Sequence, residues 1–281
     1  MAFLLHVEGC REALKRLKLF SRRKNAFELA LIGSLIPDLE MLGVVKRIHG
    51  NSYKFFQYML KNDKKYLPIA IGMMTHELFD QVYEGQYVHA KEPIAQKLIN
   101  KYDNNSSKIK YSAHILVEHS TDAHYVQENP ELMELLLSIQ KNVKKRHVKK
   151  IAFHLATFFK ADYKEVYKSL LSFKDFSLES YRSVDGLSDM WMNFMFLQEN
   201  NDLVSNHFKA GMLQNIKSNF KLGLIYTSFR LKRNKENIKQ MYHNVKNHIK
   251  DHKHYCNKAN NHVEANLAKI LLTHSVIAKR K

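Results

Sequence analysis

The sequence predicts an all-α protein, on three observations. Only 9 Gly and 4 Pro are spread over 281 residues, too few for a turn-rich β protein. Stretches such as "YLPIAIGMMTHELFDQVY" and "VKKIAFHLATFFKADYKEVYKSLLSF" repeat apolar residues at three-four spacing, the period of a helix with a buried face. With 45% hydrophobic residues, the chain can bury a substantial core as one large domain or two small ones.

The elements follow in order. A first helix is expected from about Gly9 to Phe20, closed by the basic turn "SRRKN". A second, apolar helix over Ala26–Leu35 stops at Pro37, because the residue before proline avoids helical geometry. Asp38 therefore falls at a helix end or in a loop, where functional carboxylates are common. His49 lies in the Gly-containing loop "RIHGNS", and Asn51 or Ser52 can cap a helix running through Leu60. The segment Leu67–Tyr83 is the most apolar helix, with Pro68 tolerated in its first turn. "YEGQYVHAKEP" reads as a loop carrying His89. After the polar break "NNSS", a helix runs to about Gln127. Pro130, Asn142 and Asp162 mark further helix starts, and residues 175–198, with the single Trp191, read as core.

No run of 18 apolar residues occurs, so no transmembrane span is expected. The start, "MAFLLHVEGCREALKR", is broken by His6 and Glu8 and does not fit a secretory signal. Cys10 and Cys256 are too few and too far apart for a disulfide framework or a thiolate zinc site. A cytoplasmic protein, peripheral at a membrane if it meets one, is the expectation.

The net charge of +18 is unevenly placed. Residues 201–281 carry 16 Lys/Arg against 4 Asp/Glu. That asymmetry, together with continuing helical periodicity, suggests two regions: 1–200, and a basic helical extension over 201–281 whose partner is an anionic membrane surface or RNA.

"HILVEHSTD", residues 114–122, places His114, Glu118 and Asp122 four residues apart, and residues at that spacing share one helix face. "HELFD" repeats the device with His76 and Asp80. Each pair can present two ligands to one metal ion. The His and acidic residues of the first 125 positions run His6, Asp38 after Pro37, His49, His76 with Asp80, His89, and His114 with Glu118. Imidazoles plus carboxylates without thiolates suit a catalytic zinc site. His119 and His124 fall off the ligand face and read as surface or packing residues. His248 and His252 read as a solvated face, and Met73 and Met74 as core fillers. The chain has no H-E-x-x-H, no His-Asp dipeptide, no phosphate loop and no G-x-S-x-G.

This ordered set resembles the zinc-dependent phospholipase C family, whose fold is shared by single-strand-specific zinc nucleases. The family pattern runs His, Gly-x-x-x-Pro-Asp, His, H-x-x-x-D, His, H-x-x-x-E. Here it is met by His6, "GSLIPD", His49, "HELFD", His89 and "HILVE", over residues 1–125. The resemblance implies a multi-helix phospholipase C-like bundle holding two or three zinc ions. His49, His76 and Asp80 would hold the first ion, and His89, His114 and Glu118 the second. Asp80 would bridge to a third, which His6 also ligates. Asp38 would ligate the first ion or act as general base. In secreted members a processed N-terminal amine, usually of Trp, completes the third site, whereas here Met1 and Ala2 precede His6.

Zinc lowers the pKa of bound water toward neutrality and neutralises phosphoryl charge, so the implied activity is hydrolysis of a phosphodiester, phospholipid or nucleic acid. Two other readings remain open. One is a nuclease of the same fold on single-stranded nucleic acid, with Tyr53, Phe55, Phe56 and Tyr58 as a base-stacking clamp. The other is a non-catalytic helical protein that binds RNA or an anionic membrane through residues 201–281.

Overall fold

The computed structural model describes residues 3–42, 45, 47–109, 111–172, 178–200 and 216–277. Among them there is no strand, and an all-α fold is what the sequence led one to expect. The expected boundary near residue 200 abuts residues 201–215, which lie outside the described residues.

Thirteen α-helices occur among the described residues: α1 Phe3–Arg16, α2 Lys24–Gly33, α3 Ser52–Asn62, α4 Leu67–Tyr83, α5 His89–Tyr102, α6 Ser112–Glu128, α7 Pro130–Asn142, α8 Lys145–Phe159, α9 Tyr163–Ser172, α10 Val184–Glu199, α11 Ile216–Leu231, α12 Lys235–Lys246 and α13 His252–Thr273. Short 3₁₀ turns occupy Pro37–Leu42, Asn104–Ser106 and Leu178–Arg182, and a π-helical turn Glu84–Val88 follows α4. No helix is long and apolar enough to cross a membrane.

Three readings of the sequence need correction. The first helix starts at Phe3, not near Gly9, so His6 is a helical residue with its backbone fixed by the turns on either side. "YEGQYVHAKEP" is no loop: the π turn passes into α5, which begins at His89 and accommodates Pro93. Asn142 ends α7 rather than starting a helix, whereas Pro130 and Asp162 do mark starts. Asp162 accepts a bond from the Glu165 N–H at 2.9 Å, satisfying one of the donors a helix leaves open.

The chain divides into two compact units. The first comprises residues 2–87, 129–176 and 251–281 and is built around α4. This helix is mostly apolar and buries nearly its whole length, so α1, α2, α3 and α13 pack on it from several directions. Met73 and Met74 are among its buried residues, and Cys10 and Cys256 are buried thiols of the same unit. Burial pushes the Cys10 thiol up to about 12, which leaves it inert.

Where α2 crosses α4, the two backbones touch. A Cβ on Gly72 would meet the Ala30 carbonyl oxygen at 1.9 Å, and one on Gly33 would meet that of Ile69 at 2.2 Å. Glycine at both positions is thus a steric requirement. The approach sets the Ser34 carbonyl over α4.

The second unit comprises residues 88–128 and 177–250, with α6 packed by α5, α10 and α12. Trp191 is fully buried, and its Nε1 donates to Asp103 Oδ2 at 2.8 Å, the same oxygen that accepts from Ser106 Oγ at 2.6 Å. Arg233 is buried with its Nε 3.6 Å from Asp103 Oδ1 and its guanidinium 3.6 Å over the Phe229 ring. The basic C-terminal third contributes core to both units. α12 buries Ile238, Met241, Tyr242 and Val245, and α13 buries Ala259, Val263, Leu267 and Leu271.

Replacing Gly72 by Ala is expected to cost stability at or beyond the roughly 1–3 kcal/mol of an overpacked core, because the obstacle is backbone. Gly223→Ala, where an added Cβ meets nothing within 4 Å, is expected to gain about 0.5–1 kcal/mol. Urea denaturation of both variants measures the contrast. A Gly72→Ala midpoint equal to wild type would show that the helices do not meet at this point.

Candidate metal centre

In the first unit, five of the expected residues come together. His6 is presented by α1, Asp38 by the 3₁₀ turn after α2, His49 by the loop before α3, and His76 and Asp80 by successive turns of α4. Asp80 faces two imidazoles with its two oxygens: Oδ1 lies 3.3 Å from His6 Nε2, and Oδ2 lies 3.1 Å from His76 Nε2. Asp38 Oδ1 is 4.0 Å from the same His76 nitrogen. The His6 and His76 rings stack with centroids 3.6 Å apart, and the His49 centroid is 5.3 Å from that of His76. Ligand atoms of His6, His76 and Asp80, and separately of Asp38, His49 and His76, lie within 4.8 Å of one another, so either set could hold a metal ion.

Two polar atoms at the centre lack a hydrogen-bond partner among the described residues. His76 Nδ1 donates to the Ser34 carbonyl at 2.7 Å, which aims Nε2 into the group. That Nε2 is fully buried and makes no hydrogen bond: Asp80 is close enough for strong attraction but out of line. Asp38 Oδ2 is likewise buried without a hydrogen-bond partner. Unsatisfied buried polar atoms are rare. Tetrahedral zinc bound at about 2.1 Å puts neighbouring ligand atoms roughly 3.4 Å apart. The observed 3.1 and 3.3 Å separations fit that ion, as does the imidazole–carboxylate donor set.

His49 is the most open member, with a side chain 43% exposed. Its loop is tied down by Glu40, which accepts the backbone N–H groups of Arg47, Ile48 and His49 at 2.7, 2.9 and 3.1 Å, and His49 Nδ1 at 3.2 Å.

In the second unit, His114 and Glu118 pair as their spacing predicts, with Nε2 3.3 Å from Oε1. His114 Nδ1 donates to Glu92 Oε1 at 2.9 Å, the same carboxylate oxygen that lies 3.9 Å from His89 Nε2. A carboxylate on Nδ1 fixes the tautomer and leaves Nε2 for a metal, the arrangement common behind metal-bound histidines. Asp122 is fully buried rather than an exposed helix carboxylate.

Sequence reasoning missed Glu40, Glu92 and the Ser34 carbonyl. The two carboxylates were within reach of a closer reading, since Glu40 stands two residues after Asp38 in "PDLE" and Glu92 three after His89 in "HAKE". No sequence signal marks a carbonyl that tertiary packing delivers.

The histidines off the ligand faces also find places. His119 is fully buried and packs against Phe194, centroids 4.9 Å apart, and Tyr181, 5.9 Å. His248 is exposed and His252 fully buried, so they do not form one solvated face. Of the proposed aromatic clamp, Phe55 and Phe56 are buried in the core, and only Tyr53 is exposed, hydrogen-bonded to His274 at 3.0 Å.

Comparison of the chain with protein-family models, curated proteins and solved structures finds no match. The functional reading therefore rests on the residues themselves.

Without a bound cation, these groups hold protons in its place. Burial alone would lower His76, but Asp80 and then Asp38 raise it from 6.5 to about 9. Burial opposes, and Glu118 raises, His114 to about 9. Burial pushes His119 the other way, down to about 3.

The signs decide the pH dependence of the metal-free protein. Raised His76 and His114 stabilise the fold fully below pH 6.5, and that stability is lost as pH rises through 9. Depressed His119 contributes stability above pH 6.5 that is lost as pH falls toward 3. Metal-free protein is expected to melt highest near pH 6.5, with the alkaline fall abolished in part by His76→Gln. Melting temperatures in chelator across pH 4–10 check this; a maximum above pH 9 would contradict it.

Proposed function

We propose that this chain is a zinc-dependent phosphodiester hydrolase of the kind its motif order resembles, the zinc-dependent phospholipases C. The observation that carries the reading is the placing of Asp80 between His6 and His76, with the unsatisfied oxygen of Asp38 and the unsatisfied Nε2 of His76 beside it.

In this reading His6, His49, His76 and Asp80 form one metal-holding group with Asp38 beside it, and His89, His114 and Glu118 form another. Zinc in such sites supplies activated water near neutral pH and neutralises phosphoryl charge. The chain's own residues do the rest. The Ser34 carbonyl and Glu92 hold His76 and His114 in the tautomer whose Nε2 lone pair is free. Glu40 fixes the loop that presents His49. Asp38 is the general base: its buried Oδ2 accepts the proton of the attacking water as the oxygen–phosphorus bond forms and the ester oxygen leaves on the opposite side. Its position in a 3₁₀ turn, directly after proline, holds the carboxylate without depending on a long flexible side chain.

The test uses the full chain, with metal analysis and assays on phosphatidylcholine vesicles, single-stranded DNA and single-stranded RNA. Wild type is expected to copurify with zinc and to cleave one of these classes. Asp38→Asn should keep most of the metal and lose about 10²–10⁴ in kcat. His76→Gln and Glu118→Gln should lose metal and activity together, while His243→Gln, on an exposed position of α12, should lose neither. Protein that takes up no zinc, or that takes it up and cleaves no phosphodiester, would sink the reading.

Glu92→Gln isolates the orienting carboxylate. Zinc affinity should fall about 10–100-fold with little change in stability, because Glu92 is partly exposed and acts through His114. Competition against a chromophoric chelator reads the loss directly; unchanged affinity would mean that Glu92 only covers the surface.

A further inference from the structure

Part of the positive charge of the C-terminal third is already paired. Arg230 meets Asp189 at 2.6 Å, and Lys235 meets Asp185 and Asp189 at 2.9 and 2.8 Å. Lys239 meets Asp185 and Glu236, and Arg233 is buried near Asp103 and Glu199. Carboxylates already hold these cations.

An unpaired basic surface lies elsewhere, on α8, in the first unit. Its sequence, "KRHVKKIAFHLATFF", contains no Asp or Glu. Lys145, Arg146, Lys149, Lys150, Phe153 and Thr157 are exposed. At 3.6 residues per turn these six fall within an arc of roughly 140°, with Phe153 near its middle. The opposite side buries Val148, Ile151 and Leu155 in the core. None of the four cations is paired with a carboxylate among the described residues. Lys141 and Lys144, both exposed, extend the charge beyond the N-terminal end of the helix. The field of the cluster is felt nearby: after burial, Arg146, Lys144 and Lys65 hold His147 below its ordinary value.

Phe153 gives the stripe a second character. Half of its surface is exposed, and Lys150 Nζ lies 5.7 Å from the ring centroid. A basic cluster around one exposed ring suits an anionic membrane surface, where the cations meet the head groups and the ring can enter the boundary beneath them. Single-stranded nucleic acid is bound by successive stacking rings along a groove. The α8 face is convex and carries one ring. Tyr163, the exposed aromatic of the neighbouring α9, is stacked on Tyr167 at an interplanar angle of 7°.

We propose that this face of α8 docks the protein on an anionic phospholipid membrane, through Lys145, Arg146, Lys149 and Lys150 at the head groups and Phe153 in the interface. The surface is separate in sequence from every residue of the metal groups, so docking stands whether or not the hydrolase reading does.

Flotation of the full chain with vesicles tests it, comparing phosphatidylcholine alone with phosphatidylcholine containing phosphatidylserine. Wild type is expected to bind only the anionic vesicles, and to do so equally in chelator. At about one head-group interaction per removed charge, the triple replacement of Arg146, Lys149 and Lys150 by Ser should weaken partitioning roughly a hundredfold. Phe153→Ser should weaken it roughly tenfold without changing the salt dependence, and Phe153→Leu should restore most of the loss. All sites are exposed, so melting temperatures should match wild type and exclude unfolding. Binding of the triple variant equal to wild type would overturn the proposal. So would absence of vesicle binding, or tighter binding to single-stranded RNA with the same losses in these variants.

Discussion

The backbone contact between α2 and α4 is the constraint on which the first unit's chemistry depends. Two glycines, Gly33 and Gly72, let the helices approach until carbonyl oxygens would occupy the space of a Cβ. That approach serves more than packing. It sets the Ser34 carbonyl 2.7 Å from His76 Nδ1, and it fixes the end of α2 from which the 3₁₀ turn carries Asp38. A separation of one methyl group more would break the bond that orients His76 and would move Asp38 away from its Nε2. Geometry at a metal-type site is needed to within about half an ångström. The apolar helix α4 is thus both the core of its unit and the ruler for the site, because its buried faces leave it no freedom to rotate.

What could be read from the sequence was what a single helix determines. His76 with Asp80, and His114 with Glu118, are i, i+4 pairs, and the structure places their atoms 3.1 and 3.3 Å apart as that spacing requires. The all-α class was legible for the same local reason. His6 was misplaced by one element, since the apolar run "FLLHV" carries no capping residue to announce a helix start. Gly85 and Pro93 made the π turn and the opening of α5 look like a loop, although nothing crowds Gly85 and the helix accepts the proline. The sequence offers Glu40 and Glu92 as nearby carboxylates but does not reveal what they hold, and nothing in it marks the Ser34 carbonyl. Each acts across the fold on a residue 9 to 42 positions away, where spacing carries no information.

Electrostatics unites the two metal-type groups. His76 is fully buried beside two carboxylates, and His114 is largely buried between Glu92 and Glu118. Buried charges are tolerated only when paired, and one imidazolium between two carboxylates leaves negative charge over. A divalent cation would answer both needs: it would replace the proton on the imidazole and absorb the remaining charge. His119, five residues beyond His114 along the same helix, shows the contrast. With aromatic rings around it, burial leaves it neutral, so neighbouring histidines of α6 have opposite responses to pH. Membership of the ligand face, rather than histidine identity, decides which one can exchange a proton for a metal.

The same distinction between counting residues and locating their partners governs the basic surface. By sequence, two-thirds of the excess charge lies beyond residue 200. In the fold, Asp185 and Asp189 of α10 gather Arg230, Lys235 and Lys239. A cation held by a carboxylate offers a polyanion only the difference between two pairings, each worth little at an exposed surface. The cations of α8 have no such competitor, because its fifteen residues include no acid. Local composition around each cation, read at the scale of one helix face and not of a third of the chain, is what determines where a basic protein is free to meet an anionic surface.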